Sequence, residues 1–250
     1  MKKRLCFLFV FLLCSLPVFG LTSEITIFDN QTGSGNTYWS NPNEDQEVEP
    51  GASTTPGWDL EGMFYDNGKL SIVGEWNFTS TINGIGSGDI FISTRGGVSY
   101  GKGTTDNSEN TTIANSFGYN YVFDVDWTLG TYTLWQIDET TLVTGAWYFG
   151  DGNPVSYAGG DNDIRVGTGE FSISTEGDFG YEGGTHYTVS GFDLTAIDGF
   201  DHSFIAHFTQ ECGNDVIMGQ VPETATLLLL GMGLLGISII GRKLPLETKK

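Results

Sequence analysis

Tyr119-Asn120-Tyr121-Val122-Phe123-Asp124-Val125-Asp126-Trp127 alternates: its odd positions are aromatic or aliphatic, while Asn120, Asp124 and Asp126 share the other face. Side chains on an extended chain point to opposite faces in turn, so a period of two predicts a strand with one buried side. Thr128-Leu129-Gly130-Thr131 follows as a turn, and Tyr132-Thr133-Leu134-Trp135-Gln136-Ile137 returns. The pair predicts an antiparallel hairpin with one wet face.

Outward from this hairpin the same signals recur, and further strands are expected at 24–28, 58–65, 69–78, 89–93, 170–174, 186–194 and 203–210. Asp66-Asn67-Gly68 is the turn between two of them. With 36 glycines and no long stretch of helical periodicity, the chain reads as all-β. Many short strands with Gly-rich turns predict an antiparallel β-sandwich, jelly-roll-like in arrangement. The polar stretches 30–56 and 101–116 read as loops. Glu211-Cys212-Gly213-Asn214-Asp215 is expected to close the last strand, and no repeat of solenoid or propeller period is visible.

The two ends differ from this body. Lys2, Lys3 and Arg4 precede an apolar stretch at 5–16, and Val18-Phe19-Gly20 offers a signal-peptidase site, so residues 1–20 read as a signal peptide. Cys14 follows bulky Leu12-Leu13, which disfavours a lipoprotein signal. Cys6 and Cys14 leave with the leader, and Cys212 then has no partner for an internal disulfide. Residues 225–240 carry no charge, and as a helix they would span roughly 25 Å, the short limit for a bilayer. Arg242 and Lys243 follow and would hold that end in the cytoplasm.

Between the ends, residues 21–220 form one expected domain, long enough for a real core. This region holds 29 of the 31 acidic residues but only 4 of the 11 basic ones, about 25 net negative charges. Such a surface repels phosphate backbones and anionic lipid, so nucleic acid is excluded as a partner.

Pro222-Glu223, the apolar run and Arg242-Lys243 together resemble the PEP-CTERM sorting signal of proteins exported by Gram-negative bacteria. The resemblance covers residues 221–250, and Thr224 stands where that family most often has a second proline. It implies processing by the membrane protease exosortase, which would recognise Val221, Pro222, Glu223 and Thr224. The helix at 225–240 would hold the precursor transiently in the inner membrane, with Arg242 and Lys243 as the stop. Stretches of the body at 87–92, 186–194 and 204–215 also look like segments of exosortase-dependent surface proteins. The implied destination is the cell surface or extracellular matrix.

Catalytic signals are sparse. Asp124 and Asp126 could be a carboxylate pair for glycoside hydrolysis, but neighbouring positions on one strand face seldom straddle a sugar, and a solvated face is the simpler reading. His202 and His207 are an odd number apart and would point to opposite faces of one strand; His186 has no evident acidic or Ser partner in sequence. No G-x-S-x-G, H-E-x-x-H or CxxC is present. No catalytic residue, metal ligand set or cofactor is therefore assigned. Gly159-Gly160-Asp161-Asn162-Asp163 faintly resembles a calcium-binding turn. Trp39, Trp58, Trp147, Tyr148 and Tyr157 lie near strand ends or loops, where aromatic faces beside Asp and Asn suit sugars. The expectation is a non-catalytic surface or matrix protein; the rival is a lectin-like module for exopolysaccharide, with calcium as a candidate requirement.

Overall fold

Asn67 and Gly68 both adopt positive φ, 47° and 90°. A two-residue connection of this hand matches the right-handed twist of the strands it joins, which is why Asn-Gly suits it. It links β2 (Leu60–Asp66) to β3 (Lys69–Gly74), as the sequence predicts. The computed structural model describes residues 23–27, 57–98, 112–145, 154–175, 184–213 and 215–222. The expected signal peptide, Trp39, Trp147, Tyr148, Glu223, Thr224, the 225–240 segment, Arg242 and Lys243 lie outside the described residues. Among the described residues no helix is long and apolar enough to cross a membrane.

The first sheet runs β1 (Ser23–Glu24), β2, β3, β12 (Tyr187–Asp193) and β11 (Ser172–Ser174). The second runs β10 (Ile164–Glu170), β7 (Thr131–Gln136), β6 (Tyr121–Asp126), β4 (Ile90–Ser93), β13 (Phe204–Thr209) and β14 (Val216–Val221). Every pairing in them is antiparallel. Their inner faces share one core: Leu60, Met63, Leu70, Ile72, Val189 and Phe192 meet Ile90, Ile92, Phe123, Leu134, Phe208 and Ile217. This is a β-sandwich, held by apolar burial from both alternating faces. Trp76 and Phe78, just past β3, fill the same core, with Trp76 stacked on Trp58 at 5.2 Å.

Four expectations are corrected. The hairpin of β6 and β7 forms, with Asp124 opposite Thr133 and Asp126 opposite Thr131, but its outer face is only partly wet. A third sheet of β5 (Thr112–Ala114), β8 (Leu142–Gly145) and β9 (Pro154–Gly159) covers part of that face. There Val122 joins Phe91, Phe117, Tyr119, Ile137 and Val143 in a second core. Tyr119 belongs to this outer core because β6 begins only at Tyr121, two residues later than the alternation suggests. Second, the stretch at 101–116 is not loop throughout, since β5 lies in it. Third, residues 170–174 are not one strand: β10 ends at Glu170 in the second sheet and β11 resumes at Ser172 in the first. The chain changes sheet at Phe171, whose ring packs on Phe192 at 5.4 Å.

The fourth concerns the tail. The segment ending at Asp215 does not close the last strand, because β14 follows it and Val221 pairs with Phe204. Residues 25–27 lock this last strand: Ile27 N donates to Met218 O and Gln220 N donates to Ile25 O, both at 2.8 Å.

Candidate functional site

A cleft of about 710 Å³ opens at one end of the second sheet, where β6 turns into β7 and where β13 ends. Asp124, Asp126, Trp127, Tyr157 and Glu211 line it, together with hydroxyls such as Thr133 and Ser156. The two carboxylates singled out in the sequence thus share one wall, as their spacing requires, and Tyr157 faces them from β9. Trp58 is elsewhere, committed to the core beside Trp76.

Backbone geometry builds this end. Gly88 passes between two strands so closely that a Cβ there would lie 2.5 Å from Val155 O and 2.7 Å from Thr209 O, which only glycine allows. Trp127 Nε1 donates to Gly88 O at 2.9 Å. Glu211 holds the rim: its Oε2 accepts from Gly86 N at 2.9 Å, and its own N–H donates to Gly86 O at 3.0 Å.

Asp89 is a strut beneath the cleft. Its Oδ1 accepts from Val125 N at 2.8 Å and its Oδ2 from Tyr157 N at 2.7 Å, so one carboxyl group ties β6 to β9. Burial pushes this carboxyl up to about 7, with the negative charges of Asp124 and Glu211 adding to the shift and the two N–H donors opposing it. Asp124 is half-buried and accepts from Trp135 Nε1 at 3.3 Å; burial first, and the Asp126 charge after it, raises its carboxyl despite that bond. Trp135 in turn stacks on Tyr157 at 5.6 Å, which fixes the aromatic wall. The arrangement offers carboxylate and hydroxyl acceptors beside ring faces. That is the chemistry of hydroxyl-rich ligands.

The Gly159–Asp163 turn is occupied by its own neighbours. Asp163 accepts from Thr141 Oγ1 at 2.5 Å and from Tyr157 OH at 2.9 Å, and Asn162 Nδ2 donates to Asp138 Oδ2 at 3.3 Å. These bonds latch the turn to the Asp138–Thr141 bend and leave it shaped as a connection.

Three histidines separate. His202 precedes β13 and hydrogen-bonds Tyr65 OH. His207 lies within β13, fully buried, with Nε2 donating to Pro154 O at 2.9 Å. His186, for which the sequence offers no acid, sits 2.8 Å from Glu61 Oε1, a partner 125 residues away. Glu75 completes this group: ligand-capable atoms of Glu61, Glu75 and His186 all lie within 4.8 Å of one another. Nothing in local sequence spacing could reveal a cluster assembled from β2 and from the residues just past β3 and just before β12. Cys212 is buried as a packed thiol. No protein-family model matches the chain, no curated protein matches it, and no solved structure matches it.

Proposed function

We propose that this chain is an exported, exosortase-processed component of the cell surface or extracellular matrix, with a non-catalytic body that holds polysaccharide in the cleft at the end of the second sheet. The observation that carries the binding part is the meeting of Asp124, Glu211, Tyr157 and Trp127 around one opening. The acidic lining favours neutral or amino-bearing sugars over uronate polymers, since like charges would repel the latter. Asp89, whose two oxygens both accept backbone N–H bonds, supports a structural reading of the buried carboxyl over a catalytic one. The signal peptide, the sorting helix and the jelly-roll-like connection belong to the same proposal, on the strength of the sequence patterns given above.

The doubly substituted Asp124→Asn, Glu211→Gln protein tests the cleft. Both changes preserve an acceptor for Trp135 and for Gly86 while removing charge, so melting should stay within a few degrees. Binding to a neutral or amino-sugar polysaccharide, read by glycan array and by retention in isolated matrix, is expected to fall about tenfold. Equal binding by both proteins would remove the cleft from this account. Turnover of the polysaccharide by the wild-type protein, lost in the variant, would replace it with an enzyme.

Export is tested separately. Changing Pro222-Glu223 to Ala-Ala, or deleting Arg242 and Lys243, is expected to leave uncut precursor in a host that has exosortase. Mass spectrometry of the secreted C-terminus reads the result: wild-type material that still ends at Lys250 contradicts the sorting signal.

A further inference from the structure

The geometry points to a divalent metal site at Glu61, Glu75 and His186, at the end of the first sheet and independent of the cleft. Register alone brings these positions together. In the pairing of β2 with β3, Leu60 is opposite Gly74; in that of β12 with β3, Tyr187 is opposite the same Gly74. Gly74 allows the close approach, because a Cβ there would sit 2.5 Å from Asp59 O. Glu61, Glu75 and His186 each follow or precede those paired residues by one position, so β2 and the residues flanking the adjoining ends of β3 and β12 deliver one side chain apiece to one spot. Glu61 also lies in a bulge, where the β2–β3 register shifts between Leu60 and Gly62. Bulges of this kind re-aim a side chain away from simple alternation.

All three residues are at least nine-tenths buried, at 4 %, 9 % and 7 % exposure. Two carboxylates held out of water beside each other repel, and burial is costly for ionised groups that are not balanced. A dication held by the three side chains would offset the charge of both carboxylates. Orientation is supplied from the second layer: Gly184 N donates to Glu75 Oε1, in the same segment that carries His186. Such backbone donors fix a ligating carboxylate and leave its second oxygen for the ion.

The donor set selects the metal class. One imidazole nitrogen and two carboxylates suit zinc, manganese or ferrous iron, whereas calcium takes six to eight oxygens. Ligand atoms within 4.8 Å of one another need to draw in by less than about 2 Å to meet one ion at ordinary bond lengths near 2.1 Å.

The test uses the full chain with a tag free of histidine, stripped with chelator and titrated with Zn²⁺, Mn²⁺ and Ca²⁺ by calorimetry. One equivalent of Zn²⁺ or Mn²⁺ per chain is expected, unaffected by equimolar Ca²⁺, and X-ray absorption of the zinc form should show one imidazole with oxygen ligands. Glu75→Gln should weaken uptake by more than about tenfold. Absence of saturable uptake overturns the site, as does equal affinity in the variant. Should Glu75→Gln not fold, the wild-type absorption spectrum decides alone: sulfur or several imidazoles would place the ion elsewhere. A chain that binds no metal would mark the cluster as the His186–Glu61 pair only.

Discussion

Trp76→Ala is expected to destabilise the body by about 3 to 5 kcal/mol, the range for deleting a fully buried aromatic. Trp76 has no exposed surface, stacks on Trp58 and donates from Nε1 to Ser87 Oγ at 2.7 Å. Its loss opens a cavity between the two sheets and unpins the segment that leads into the cleft, since Ser87 Oγ passes the bond on to Phe78 O at 2.9 Å. Trp76→Phe keeps most of the volume and forfeits the hydrogen bond, so a smaller loss of about 1 to 2 kcal/mol is expected. Urea unfolding followed by circular dichroism reads both. A shift for Trp76→Ala no larger than that for Trp76→Phe would show that the core closes over the gap.

The second large effect is a pair of opposed pH dependences on either side of β9. Asp89, raised to about 7 by burial, keeps a proton in the folded protein that the unfolded chain releases near pH 4. Its contribution is present at low pH and is lost as pH rises through 7. His207, lowered to about 4 by burial, stays neutral in the fold while the unfolded imidazole takes up a proton below about 6.5. Its contribution is present above 6.5 and is lost as pH falls through 4. Each amounts to on the order of 3 to 4 kcal/mol by linkage. Between pH 4 and 6.5 the two slopes cancel, and wild-type stability should be nearly flat before falling towards pH 7.5.

His207→Gln separates them. A glutamine amide can still donate to Pro154 O but does not titrate, so the variant should lose several kcal/mol steadily from pH 4 to 7. Superimposable wild-type and variant profiles would show that His207 is not held neutral. Both groups bond β9 or its carbonyls, so the pH response is a response of the third sheet's docking.

Much of the sandwich could be read from residue order because its strands carry their own signal. Alternation in β6 and β7, the Asn67-Gly68 turn and the apolar runs of β12 and β13 are local patterns, and they held. The third sheet is absent from that reading because β5 and β8 are only three and four residues long, and β9 begins on Pro154 and ends on Gly159 with no clear apolar alternation between. β14 is hidden for another reason: Val216 to Val221 includes Gly219 and runs straight into Pro222, so its apolar content merges with the tail that follows. Of the cleft, Asp124 and Asp126 were visible as a shared face, and Tyr157 as an aromatic near a strand end. Asp89 and Glu211 were not, since their roles arise from contacts 36, 68 and 125 residues apart. The Glu61, Glu75 and His186 group is the extreme case, written only in the register of three strands.

The antiparallel run of β13 and β14 gives the molecule a head and a foot. Val221, the last residue of the ladder, lies opposite Phe204 at the start of β13, whereas Glu211 on the rim of the cleft lies just beyond that strand's other end. At about 3.3 Å per residue, the distance between them is roughly 20 Å or more. Arg95, one of the body's four cations, sits at the foot beside Pro222, and Asp124, Asp126 and Glu211 sit at the head. A chain leaving the sheet at Pro222 thus departs from the pole opposite the opening. The acidic mouth and the exit of the last strand therefore lie at opposite poles of the sandwich.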